Sequence, residues 1–95
     1  MHDPHRPVLR FLTRVDCGLC AQGRAALQEA LEERAAAGRL VPRVEEVDID
    51  TDAVLLRRNL ERLPVLELGS HVLPLALSGR AIRRFLDERL DRALA

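Results

Sequence analysis

The chain has 95 residues, 47% of them hydrophobic and 32% charged, and its fifteen basic residues, all arginine, balance fifteen acidic ones. That length supports one domain with a modest core, and the composition excludes the disordered and fibrous classes. The balanced charge excludes the long-range field that gathers nucleic acid or anionic lipid. With no lysine a Schiff base is excluded, and two aromatic residues, Phe11 and Phe85, are too few for a base-stacking platform.

The chain opens on MHDPHRP, a short polar segment interrupted by proline. Residues 1–6 are expected to form a flexible N-terminal tail, with 1–95 as a single domain. The tail lacks the basic and apolar regions of a secretory signal, and no apolar run approaches a membrane span, so the expected compartment is the cytoplasm. VLRFLT, Val8 to Thr13, is short and apolar between Pro7 and a turn-like VDCG, and reads as a buried strand. A helical pattern follows, with Leu19, Gly23, Leu27, Leu31 and Ala35 at four-residue intervals and Ala26 and Ala30 beside them. Gln22, Arg24, Gln28, Glu29, Glu32 and Glu33 face the other way, and Gly38 is placed to end the helix.

Val41 to Ile49 reads as a second strand, set parallel to the first by a strand–helix–strand crossover. Asp50, Thr51 or Asp52 caps a short helix that is expected to bury Leu56 and Leu60 and to leave Arg57, Arg58 and Arg62 near its exposed end. PVLELGSHVLPLAL then holds two apolar runs joined at Gly69 and Ser70, a hairpin with glycine at the position needing positive φ. Pro74 cannot donate to a ladder, which places the last strand at the sheet edge. Ser78 and Gly79 open a final helix with Ile82, Phe85, Leu86, Ala93 and Leu94 on one face. Among the acids on its other face, Arg83, Arg84, Arg89 and Arg92 read as surface ion-pair partners. His71, beside the hairpin turn, reads as an exposed strand residue without a catalytic role.

The chemistry-bearing feature is RVDCGLC, where Cys17 and Cys20, the only cysteines, stand two residues apart at the strand-to-helix junction. Three readings of the pair are available: a redox dithiol, half of a metal site, or two small buried hydrophobes. A reducing cytosol disfavours a permanent staple and leaves redox chemistry or metal. A zinc site would recruit His2 and His5, an H-x-x-H in the tail, to complete four ligands. The redox reading assigns Cys17 as nucleophile, because a helix N-terminus stabilises the attacking thiolate. Cys20, one turn inward, then resolves the mixed disulfide. Arg14 favours that thiolate and Asp16 opposes it.

The order βαβα-ββα, with C-x-x-C at the first strand-to-helix junction and Leu63-Pro64-Val65 opening the third strand, resembles the thioredoxin fold. It is most similar to the small glutaredoxin-like branch, over roughly Val8 to Leu94. The resemblance implies an α/β domain with a four-stranded mixed sheet and helices on both faces, acting as a thiol–disulfide oxidoreductase with Cys17 and Cys20 as catalytic pair. It also implies a cis Pro64 against the dithiol, strand-like hydrogen bonds from the Leu63 backbone to substrate, Arg14 pairing a glutathione carboxylate, and Gly79 before the last helix. The implied partners are a disulfide-containing protein or glutathione, with thioredoxin reductase or the glutathione system as electron donor. No tightly bound cofactor or metal is implied, and glutathione enters as co-substrate. The alternative is a non-catalytic module of the same fold that uses the pair for metal or cluster binding or to dock a partner. Three departures stand out: Gly18-Leu19 between the cysteines in place of Pro-Tyr, Leu63 in place of a small β-branched residue, and Ser78-Gly79-Arg80-Ala81 in place of Gly-Gly with following acids.

Overall fold

A computed structural model describes residues 6–91. Strand β1 (Val8–Thr13) leads into helix α1 (Gly18–Ala36) and strand β2 (Arg43–Asp48). A 3₁₀ turn (Ile49–Thr51) and helix α2 (Ala53–Asn59) precede the hairpin β3 (Val65–Leu68) and β4 (His71–Leu73). Helix α3 (Gly79–Leu86) closes the order and continues into wider helical turns over Asp87–Asp91. The sheet order is β2-β1-β3-β4, parallel between β1 and β2 and antiparallel elsewhere, so the expected α/β mixed sheet is present.

Alternation along β1 distributes the core to both faces. Leu9 and Phe11 pair in register with Leu68 and Leu66 and meet α1 and α3 through Leu27, Ala30, Ile82, Phe85 and Leu86. Leu12 and Val65 point to the opposite face, where Ile49, Leu63 and Cys20 join them against Leu55 and Leu56 of α2. Burying a side chain such as Phe11 contributes roughly 1.5–3 kcal/mol, so the two layers together hold the sheet in place.

Several local signals act as expected. Gly38 takes φ +71°, with its N–H on the Ala35 carbonyl and the Arg39 N–H on the Arg34 carbonyl, a paired closure of α1. The Asp52 carboxylate accepts from the Val54 and Leu55 N–H groups, and Ser78 accepts from Ala81, capping α2 and α3. Gly69 has φ +61° in the hairpin turn, and His71 is exposed on the edge strand β4. Of the N-terminal tail, Arg6 donates to the Val41 carbonyl at 2.7 Å. His2 and His5, like Arg92, Ala93 and Leu94, lie outside the described residues.

Four expectations are corrected. The buried stripe of α1 is Cys20, Gly23, Leu27, Ala30 and Arg34, whereas Leu19 is 50% exposed and Ala35 is exposed. A ladder of strict four-residue steps drifts around a helix of 3.6 residues per turn, and the alternating three- and four-residue steps of the observed stripe do not. Strand β2 begins only after Pro42, which has no N–H to give. It ends at Asp48, whose carboxylate captures the Asp50 N–H at 2.9 Å and turns Ile49 out of the strand. Leu60 lies beyond the end of α2 and is exposed; Asn59 is buried instead, donating to the Leu55 carbonyl at 3.0 Å. Arg62 is half-buried rather than exposed and donates to the Asn59 side chain.

The Arg34 guanidinium, with only 4% exposure, is satisfied by the Leu40 carbonyl and by Asp87 and Asp91, while Arg39 joins the same two carboxylates. This cluster ties the end of α1 to the last helical segment. The Arg34 hydrogen bond holds the Asp91 carboxyl below the usual carboxylate range. Toward the opposite end of α1, Gly23 meets both the loop that enters β3 and the segment between β4 and α3. A Cβ there would lie 2.5 Å from the Ala76 carbonyl oxygen and 2.6 Å from Pro64 Cγ.

Removing both carboxylates, Asp87→Ala with Asp91→Ala, strands a buried guanidinium and is expected to cost about 3 kcal/mol in urea unfolding. Because Asp91 has a depressed folded-state pKa, its contribution is complete above the ordinary aspartate range and is lost as pH falls through the folded value. In the parent, stability therefore declines with acidification below about pH 4, and the double variant shows a shallower decline over that window. Gly23→Ala is expected to lower stability by about 1–3 kcal/mol, since a backbone carbonyl must move to admit the methyl group. Gly18→Ala, with nothing within 4 Å of the added Cβ, should shift the urea midpoint little.

Candidate functional site

The turn from β1 into α1 is made by Val15 and Asp16, with Asp16 at φ +58°, a conformation that aspartate tolerates better than most residues. This turn delivers Cys17 to the N-cap of α1 in extended conformation. A cysteine sulfur thus occupies a position usually filled by serine, threonine or aspartate oxygen. The Cys17 Sγ accepts the Cys20 N–H at 3.1 Å. The same two residues are joined as a disulfide with their Cα atoms 5.2 Å apart.

Their surroundings differ. Cys20 is 1% exposed and packs with Leu12, Ile49, Leu63 and Val65. Cys17 is only half-buried and opens on a groove of about 560 Å³. The β1-to-α1 turn, Leu19, Asp50, Leu60, Glu61 and Leu63 line that groove with it. An incoming group therefore reaches the Cys17 sulfur before it reaches Cys20.

Arg14 and Leu63 both line the groove. Arg14 is already engaged, its Nε 3.1 Å from the Asp50 carboxylate with both side chains partly exposed. The Leu63–Pro64 bond is cis, and Pro64 is fully buried. The Arg62 carbonyl accepts from Leu75 and the Pro64 carbonyl from Ala76, each at 2.8 Å, while among the described residues the Leu63 N–H and carbonyl have no hydrogen-bond partner. Gly79 opens α3, capped by Ser78, and is not among the groove-lining residues. Among the described residues no group of three or more His, Cys, Asp or Glu side chains is placed to hold a metal, and no helix is long and apolar enough to cross a membrane.

Sequence reasoning missed four residues that shape the site. Asp50, Leu60 and Glu61 come from the segments flanking α2 and reach the groove only through the tertiary fold. Gly23 did carry a signal: a glycine inside a helix, where alanine would be about 1 kcal/mol better, marks a close approach.

No curated protein shows a significant match to the chain. Among solved structures, the solution structure of the structural-genomics target protein XcR50 from X. Campestris is 32% identical, with 84% of this chain and 92% of that chain covered and a TM-score of 0.65. A structure described as a malarial protein is 13% identical, covering 90% of this chain and 99% of that one with a TM-score of 0.63, a likeness of fold alone. A family model for the glutaredoxin-like domain (DUF836) matches residues 8–95, spanning every element from β1 onward and the Cys17–Cys20 pair, and the chain belongs to that family.

Proposed function

We propose that this protein is a thiol–disulfide oxidoreductase that reduces protein or small-molecule disulfides in the cytoplasm through Cys17 and Cys20. One observation carries the reading: a half-buried sulfur at a helix N-terminus, facing a groove, bonded to a second sulfur that is buried. A disulfide exchange needs one accessible nucleophile and one protected resolver, and the pair divides in that way.

In the reduced protein the Cys20 N–H and the other free N–H groups of the first helical turn stabilise the Cys17 thiolate over the thiol. The thiolate attacks one sulfur of the substrate disulfide, forming a Cys17–substrate mixed disulfide and releasing the other sulfur as a thiolate that takes a proton from solvent. Cys20 loses its proton and attacks the Cys17 sulfur, closing the intramolecular disulfide and releasing the second substrate thiolate. Two electrons pass from the dithiol to the substrate, and an external thiol system returns them. The unpartnered Leu63 N–H and carbonyl are suited to hold an extended substrate backbone across the groove. Arg14 meets an anionic substrate only by exchanging Asp50 for it.

The test is disulfide reduction driven by glutathione with its reductase and, separately, by thioredoxin reductase, with metal analysis of the same preparations. Cys17→Ser is expected to abolish turnover with either donor. Cys20→Ser is expected to accumulate a mixed disulfide at Cys17, visible by mass spectrometry as an adduct that reducing agent removes. Undiminished turnover in Cys17→Ser, or near-stoichiometric zinc or iron together with no reduction by the parent, would overturn the redox reading.

A further inference from the structure

The groove beside Cys17 carries three carboxylates, Asp16, Asp50 and Glu61, against one guanidinium, Arg14. The lone cation is spent within the groove, since Arg14 is paired with Asp50 at 3.1 Å. Asp16 and Glu61 have no ion-pair partner among the described residues. The nearest arginines in sequence do not restore the balance. Arg57 and Arg58 line a separate concavity with Val54, and Arg62 turns its guanidinium to Asn59. The chain as a whole is neutral, so this local excess of negative charge is a property of the site rather than of the protein.

From this we infer that the groove selects disulfides whose flanking groups are cationic or uncharged, and disfavours anionic ones such as oxidised glutathione. Asp16 and Glu61 are the specificity-determining residues, and Asp50 contributes by holding Arg14 away from an incoming carboxylate. The substrate class is a disulfide in a peptide or protein segment carrying arginine or lysine beside the bonded cysteine. This inference rests on the redox reading and adds a charge preference to it. The groove is open to solvent, so the preference acts through screened charge–charge interaction and weakens with salt.

The experiment is single-turnover oxidation of the prereduced protein by three small-molecule disulfides: cationic cystamine, neutral hydroxyethyl disulfide and the anionic peptide disulfide oxidised glutathione. Each rate is divided by that of dithiothreitol with the same compound, which removes the intrinsic reactivity of the disulfide. The parent is expected to rank cystamine above hydroxyethyl disulfide above oxidised glutathione, with the extremes separated by about tenfold at low salt and converging toward 1 M salt. Asp16→Asn with Glu61→Gln should raise the ratio of the oxidised glutathione rate to the cystamine rate about three- to tenfold. Asp50→Asn should raise the same ratio by releasing Arg14, and adding Arg14→Gln should cancel that gain. Because Cys17 is common to all three reactions, rate ratios report the groove charge and not the reactivity of the thiolate. A parent that reduces all three compounds without charge order, or prefers oxidised glutathione, overturns the inference and leaves the redox reading standing. A parent that reduces none of them overturns both.

Discussion

The site depends on how closely helix α1 approaches Pro64, in the loop that enters β3, and Ala76, in the segment between β4 and α3. Gly23 allows it, because the space a side chain would need is taken by the Ala76 carbonyl and the Pro64 ring. That contact sets the depth of α1 against the sheet, and the depth decides where the helix N-terminus, and with it the Cys17 sulfur, emerges. It also brings Leu63 to the same groove as Cys17 from a segment more than forty residues away. The far end of α1 is held by different physics, the buried Arg34 guanidinium between Asp87 and Asp91. Steric closeness at one end and a buried ion-pair cluster at the other fix the helix along its length, and at the Cys17 end the charged tie is the exposed pair of Arg24 with Glu46 of β2.

Much of this arrangement is legible in the sequence because its signals are local. Strand β1 is bounded by Pro7 and the VDCG turn, Gly38 ends α1 through a positive φ, Asp52 caps α2, and Gly69 turns the hairpin. Each of these needs only a few neighbouring residues to act. Cys17 and Cys20 are legible in the same way, since a spacing of three along a helix brings one residue a turn inward from the other.

What is not legible is what depends on distance in the chain. Arg34 sits among glutamates and alanines and reads as part of a solvated face, until residues 87 and 91 supply its partners. Asp50 and Arg14 are 36 residues apart and meet because β2 runs parallel to β1, with Asp48 directly beside Thr13. Pairing of Thr13 with Asp48 carries the next residues of both strands toward the same end of the sheet, which is the end where α1 begins. Strand register thus accounts for the Arg14–Asp50 pair, while the unpaired acids come from the β1-to-α1 turn (Asp16) and from beyond α2 (Glu61), so composition alone, with its equal counts of acid and base, conceals the local excess.

On the proposed reading, charge and redox chemistry are linked at the Cys17 sulfur. The Cys20 N–H and the free N–H groups of the first turn favour the thiolate, and a stabilised thiolate makes the reduced state more comfortable and the disulfide a stronger oxidant. Carboxylates sharing the groove act in the opposite direction, since each disfavours a second negative charge nearby. Arg14 would offset them if it were free, but Asp50 occupies it. On the proposed reading, the carboxylates that attract a cationic disulfide also leave the dithiol less stabilised by its own helix, and so more ready to give up its electrons. Substrate preference and direction of exchange are then set by the same side chains.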